Sequence, residues 1–208
     1  ENGLNDARTL AEIRKLCDVL VSICPPHGAE ALAEDVIATG FKGLYCDANA
    51  IAPERAKRIG QKLNSAGIDF VDGSIIGPPA WKQGQTRLYL SGKSSQKVAE
   101  RFANSLVTAC VIGDEIGKAS ALKMVFAAYT KGATALLSAS MAAAEALGVR
   151  DDLEQEWAMR DPQSVDANRK SVQQVTQKAW RFAGEMEEIA TTFADAGLPD
   201  EFHIACNI

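Results

Sequence analysis

Lys123 lies between Leu122 and Met124 in a long helical pattern that opens at Lys118. An ammonium partly withdrawn from water has a lowered pKa, which brings it toward acid/base work. A lysine at a helix edge can equally lay its stem on apolar surface and keep its charge in water. Ala127, one turn on, offers no counter-charge, and Lys131 follows two turns on along nearly the same face, so chemistry alone leaves both readings open. The remaining polar groups of interest sit in short turns after apolar runs. In Cys24-Pro25-Pro26-His27-Gly28, the prolines fix an extended turn, and His27 is either a proton carrier or a solvent-facing turn residue. In the turn Asp47-Ala48-Asn49-Ala50-Ile51-Ala52-Pro53, Asn49 offers a donor and an acceptor to a cofactor or substrate, or else shapes the turn with Asp47. The segment Asp72-Gly73-Ser74-Ile75-Ile76-Gly77-Pro78-Pro79 is dense in glycine and proline, as a loop holding its backbone close to a ligand would be. No His/Cys/Asp cluster has metal-ligand spacing, and no metal is expected. Glu185, Glu187 and Glu188 read as a solvated helix face, His203 as structural or exposed, and the Met and Trp positions as core.

The elements that must position these groups follow from periodicity. Short apolar runs predict strands at Val19–Ile23, Leu44–Asp47, Phe70–Asp72, Arg87–Ser91 and Ala109–Ile112. Amphipathic stretches between them predict helices at Asp6–Leu16, Gly28–Ala38, Pro53–Ala66 and Ser94–Leu106. Alternating units of this kind build a parallel sheet, in which ligands bind at the carboxyl ends of the strands. After residue 113 the pattern is helical only. Lys118–Leu147 reads as one helix of about 45 Å, rich in Ala and Ser and buried among other helices. Further helices are expected at Asp152–Met159 and at Asp166–Ala196, the latter bent or broken near Gly184 and stopped by Gly197 and Pro199. The fold class is thus α/β followed by all-α, with domains at 1–113 and 114–208.

The 208 residues are 47% hydrophobic and 24% charged, which fits a chain with a sizeable core. No apolar run reaches the roughly 18 to 20 residues of a membrane span. A net charge of −5 with scattered Lys and Arg argues against nucleic acid as a partner. Five cysteines without CxxC spacing read as reduced residues of a cytoplasmic protein.

Taken in order, the turns and the helix with its early lysine resemble the β-hydroxyacid dehydrogenases. This superfamily includes 3-hydroxyisobutyrate dehydrogenase, the 6-phosphogluconate dehydrogenases and the imine reductases. Leu16 through Pro25 resembles the family segment ending in a strand and "LP"; Asp47 through Pro53 resembles "DxSTIxP"; Phe70 through Gly84 resembles the substrate loop "DAPVSGGxxGAxxG". Gly117 to Lys123 matches "GxGxxxK" in its first glycine and its lysine. Ser120 to Met124, Thr130-Lys131-Gly132 and Trp180 to Ile189 are similar to the subgroup with the C-terminal domain of unknown function 1932.

The resemblance implies a Rossmann domain, a 6-phosphogluconate dehydrogenase-like helical domain that forms a homodimer, and NADP or NAD as cofactor. It implies hydride transfer to or from a small β-hydroxy acid, with Lys123 as catalytic acid/base. Cys24, Pro25, Pro26 and Asn49 would contact cofactor; Ser74, Ile76, Gly77, Pro78 and Lys131 would contact substrate. Departures accompany it. Phe126 and Ala127 replace the family's Asn-Asn pair, Gly184-Glu185-Met186 replaces "KDL", and Ile76-Gly77 stands where Ser-Gly is usual. Lys131 or Arg181 is a candidate replacement cation. No GxGxxG turn occurs, and Asn2-Gly3-Leu4 resembles the family's third short strand. The expectation is therefore a fragment lacking roughly 50 to 60 upstream residues, which binds dinucleotide poorly by itself. Imine reduction on the same scaffold and a non-catalytic helical dimerisation or binding module are the alternatives.

Overall fold

The computed structural model describes residues 5–176 and 182–206. These form two compact units, one ending at Met124 and one beginning at Val125. The expected boundary at 113/114 is thereby displaced into the long helix, because the first turns of that helix are hydrogen-bonded into the sheet of the first unit.

The first unit is a five-stranded sheet in the order β1 (Val19–Ser22), β2 (Leu44–Asp47), β3 (Asp69–Ile76), β4 (Thr86–Ser91) and β5 (Val107–Gly113). Helices α1 (Leu10–Leu16), α2 (Ala29–Ala38), α3 (Pro53–Ser65) and α4 (Ser95–Arg101) alternate with the strands, and a single 3-10 turn (Pro26–Gly28) precedes α2. Helix α3 starts as its sequence predicts, with Pro53 at the first position and Glu54 in the first turn; Gly67, at φ 75°, follows its end. On one face of the sheet Ala29, Ala33, Val36, Ala56, Ile59 and Leu63 pack on Tyr45 and Phe70. On the other, Leu44, Cys46, Val71, Leu88 and Leu90 pack with Val98 of α4. Helix α3 approaches β3 closely at Gly60, where an added Cβ would stand 2.6 Å from the Phe70 ring.

Two expectations about the sheet need correction. It is not wholly parallel: β3 pairs with β4 antiparallel, Asp72 opposite Ser91 and Ile76 opposite Arg87, while the other three pairings are parallel. Nor does β3 end at Asp72. It continues through Gly73, Ser74, Ile75 and Ile76, so part of the expected substrate loop is buried strand. Both follow from one physical fact: Gly77–Gln85 is too short for the dozen or more residues of a parallel crossover, so the chain turns straight back.

The long helix α5 (Lys118–Ala146) crosses from the first unit into the second, which also holds α6 (Arg150–Arg160), α7 (Ser164–Thr176), α8 (Phe182–Asp195) and α9 (Glu201–Ala205). Gly184 lies inside α8 and breaks nothing; Trp180 and Arg181 lie outside the described residues, as do Asn2, Gly3 and Leu4. Burial of α5 among helices holds for one side only. Ala127, Ala128, Met141 and Ala144 are buried, whereas Phe126, Tyr129 and Leu136 are exposed. The residues expected as solvated or core also divide. Glu188 and His203 are buried, His203 between the Phe193 and Phe202 rings, whereas Trp81 and Met159 are exposed.

Candidate active site

Adjacent strands place a row of buried polar residues at the carboxyl ends of β1, β2 and β4 and in the middle of β3. Ser22 pairs with Asp47, Asp47 with Asp72 and Asp72 with Ser91, and each is at most 2% exposed. The two carboxylates are treated differently by their surroundings. Asp47 accepts the backbone N–H of Asn49 at 2.9 Å through Oδ1, and its Oδ2 has no hydrogen-bond partner. Burial pushes its pKa up to about 7, with the charge of Asp72 adding to the rise. Burial raises Asp72 as well, but five donors oppose it: the hydroxyls of Ser91 (2.9 Å) and Ser120 (2.6 Å), and the N–H groups of Gly117, Ala119 and Ser120 at 3.0 to 3.1 Å. Asp72 is therefore the carboxylate that the structure solvates, and Asp47 the one it leaves to a proton.

Asp72 thus caps the amino end of α5 from a distant strand, satisfying N–H groups that have no partner within the helix. Two turns into the same helix, the half-buried Lys123 ammonium donates to the Ile75 carbonyl of β3 at 2.9 Å. Its nitrogen is therefore held at a strand rather than extended into water.

The other predicted site residues are distributed as follows. Asn49 is 2% exposed, and its amide joins the turns after β1 and β2 by accepting from Cys24 N at 2.6 Å and donating to Ser22 Oγ at 3.0 Å. Its role in this structure is to fix those turns. Cys24 is half-buried, Pro25 is exposed, and Pro26 opens the 3-10 turn with its carbonyl bonded to Arg55 of α3 at 3.2 Å. Ser74 is buried with an unpartnered hydroxyl, and Ile76 is core. Gly77 and Pro78 are exposed where the chain leaves β3. His27 is an exposed residue of the 3-10 turn. Lys131 belongs to the second unit, where it is paired with Glu185 at 2.5 Å and lies 4.2 Å from the centre of the Phe182 ring. Glu185 is accordingly an ion-pair partner and not part of a solvated face.

Sequence reasoning missed Asp72 as an individual residue. The available signal was an acid in register with apolar strand residues Phe70 and Val71, followed by further apolar residues, which places a carboxylate in a buried position that must find donors. Away from this end, a groove at the amino ends of β1 to β3 is lined by Asp18, Asp69, Lys97 and Arg101, whose charges pair with one another. Among the described residues no three His, Cys, Asp or Glu side chains gather as metal ligands, and no helix is long and apolar enough to cross a membrane.

Comparison with known proteins places this geometry in a context. Residues 144–206 match the family model described as Domain of unknown function (DUF1932). The chain is 31% identical over 153 residues to an uncharacterized 28.5 kDa protein of Methanothermus fervidus; the match covers 73% of this chain and spans 57% of that relative's length. Among solved structures, the conserved protein MTH1747 of unknown function, described as structurally similar to 3-hydroxyacid dehydrogenases, is 26% identical. It matches with a TM-score of 0.68, over 91% of this chain and 75% of its own. The 3-hydroxyisobutyrate dehydrogenase of Mycobacterium tuberculosis, solved with L-serine, is 14% identical with a TM-score of 0.67, over 96% of this chain and 75% of its own. An imine reductase of Myxococcus stipitatus, in complex with NADP+, shares the fold at a TM-score of 0.55 and 16% identity, over 96% of this chain and 75% of its own. The C-terminal part of the chain thus matches the DUF1932 model, and the five-stranded, mostly parallel sheet followed by helices has the fold of these hydroxyacid dehydrogenase-like structures.

Proposed function

We propose that the protein is an NAD(P)-dependent oxidoreductase of the CH-OH class, acting on a small β-hydroxy acid with Lys123 as acid/base. The observation that carries the reading is the Lys123 ammonium held at the Ile75 carbonyl, on a helix whose amino end is anchored to the same strand. As the neutral amine, a nitrogen fixed in this way can accept the proton of a substrate hydroxyl as the carbon is oxidised, and as the resulting ammonium it returns that proton in the reverse direction. When bound, the dinucleotide supplies the hydride chemistry.

The residues present suit the nicotinamide end of such a cofactor. The turns after β1 and β2 lie at strand carboxyl ends and are fixed to each other through Asn49, with Cys24, Pro25 and Pro26 as their outer wall. The turn after β1 does not suit the pyrophosphate, because Pro25 and Pro26 lack the N–H donors that cradle phosphate. Ser74, Gly77 and Pro78 would border the substrate; Ile76 contributes packing. Lys131 contributes to substrate charge only if it is released from Glu185. The five free cysteines support a reduced, cytoplasmic setting, and the exposed side of α5 supports a homodimer.

The test is an absorbance assay on the full-length protein, following NAD+ and NADP+ reduction with a panel of β-hydroxy acids and NADPH oxidation with cyclic imines. Turnover with a hydroxy acid that falls at least about 100-fold in Lys123→Ala is the expected result. Turnover of imines alone would move the activity to imine reduction. Reduced-cofactor fluorescence that never changes on addition of the protein would leave a non-catalytic binding module.

A further inference from the structure

We propose that Asp72 is a positioning residue for Lys123, gripping the first turn of α5 so that the Lys123 ammonium is held at the Ile75 carbonyl. Its functional weight rests on the acid/base reading of Lys123; the mechanical claim stands on geometry.

The amino end of α5 has no effective cap of its own. Gly117 carries no side chain, and the nearest local acceptor, the Glu115 carbonyl, stands 3.4 Å from the Lys118 nitrogen. Instead, one carboxylate oxygen from 45 to 48 residues upstream accepts three backbone N–H groups, and the second oxygen accepts the Ser120 hydroxyl. Ser91 of β4 completes the arrangement, donating to Asp72 at 2.9 Å and accepting from the Ala119 N–H at 3.1 Å. A serine or asparagine at the capping position would satisfy the helix end locally and stabilise it by about 1 kcal/mol. What a local cap cannot do is fix the helix to a strand.

The strand is the same one that receives the lysine. Asp72 and Ile75 of β3 grip Ser120 and Lys123 of α5, two helix positions that share a face at i, i+3. Two attachments three residues apart on each element set the rotation of the helix about its axis as well as its distance from the strand. Removing the first leaves the orphan N–H groups of the first turn without partners, and a frayed first turn no longer fixes where Lys123 points.

The experiment compares wild type with Asp72→Ala, which removes both accepting oxygens, by pulse acetylation of lysines at 25 °C, read by mass spectrometry, with the exposed Lys82 as internal reference. Amide hydrogen exchange at Gly117, Ala119 and Ser120 is read in parallel. Both the Lys123 rate relative to Lys82 and the exchange of the three amides are expected to rise about tenfold, a factor equivalent to about 1.4 kcal/mol of lost hold. A lowered melting temperature with an unchanged Lys123 rate would make Asp72 a merely structural residue and overturn the proposal, as would unchanged amide protection. If Asp72→Ala does not fold, Ser120→Ala and Ser91→Ala, each removing one hydroxyl from the carboxylate, are read by the same two criteria. Failure of the functional reading shows separately: normal turnover of Lys123→Ala would remove the acid/base role and leave the labelling result intact.

Discussion

Asp47 carries a proton that its unfolded form would lose. Its carboxyl is 1% exposed, one oxygen is unpartnered, and its pKa is raised from 3.8 to about 7. The groups that face it are Asp72 on β3, Tyr45 and Cys46 on β2, and Cys24 after β1, and none of them is a cation. Between pH 4 and 7 the folded chain therefore holds a proton that the unfolded chain has released, so stability falls as pH rises through this window. Above pH 7 the full cost is about 4 kcal/mol. Asp47→Asn keeps an oxygen for the Asn49 N–H and removes the ionisation. Thermal melts should show the variant more stable than wild type at pH 8, with the gain shrinking toward zero at pH 4. A gain independent of pH would mean that packing, not titration, distinguishes the two. The same comparison shows what was legible at this scale. Lys123 stood out because its neighbours were apolar and its helix was long, and its ammonium donates to the Ile75 carbonyl. Asp72 did not stand out, because its donors come from Ser91, Gly117, Ala119 and Ser120, and only the folded sheet brings those residues together.

Helix positions were readable because burial on one face imposes a period, and β2, buried on both faces, is found where its short apolar run placed it. Direction within the sheet was not, because an apolar run carries no sign of which way its neighbour runs. Loop length did carry that information: between Ile76 and Thr86 there is room for a turn but not for a crossover helix. The turn depends on Gly77, whose φ is 129° and where an added Cβ would stand 2.2 Å from the Gln85 carbonyl oxygen. That backbone region is essentially confined to glycine, and forcing another residue into it costs about 1 to 3 kcal/mol. Gly77→Ala should therefore lower the unfolding free energy by an amount in that range, read as a lower urea midpoint at an unchanged slope. Gly84, at the far side of the same loop, has φ 79° and no atom within 4 Å of an added Cβ. Gly84→Ala should cost only the left-handed backbone conformation, about 1 to 2 kcal/mol, and less than Gly77→Ala. Equal losses at the two sites would mean that the close approach to Gln85 plays no part. A hairpin that reverses direction here also brings Ser91 of β4 opposite Asp72, so this element is what completes the anchor of α5.

Among the described residues, the second unit leaves apolar surface exposed on α5. Phe126, Tyr129 and Leu136 are 46%, 78% and 57% exposed, and Ala133 between them is exposed as well. Their spacing of three, four and three residues is the seam of a helix that packs against another helix at a 3.5-residue repeat, and the small Ala133 lets a partner come close. Covering large apolar side chains of this kind stabilises an assembly by about 1.5 to 3 kcal/mol each. A seam on a single helix is most simply closed by the same seam of a second copy, because a two-fold axis presents identical residues to each other. Such a homodimer would cover the side of α5 that is exposed although the helix is expected to be buried among helices. Light scattering during size exclusion should give twice the chain mass for wild type, and the chain mass for a variant carrying Tyr129→Asp and Leu136→Asp, with helical circular dichroism retained. A wild type that runs at the chain mass would remove the homodimer. A variant that stays dimeric would move the interface elsewhere on the helical unit, and loss of the helical signal would make these residues part of the fold of a single chain.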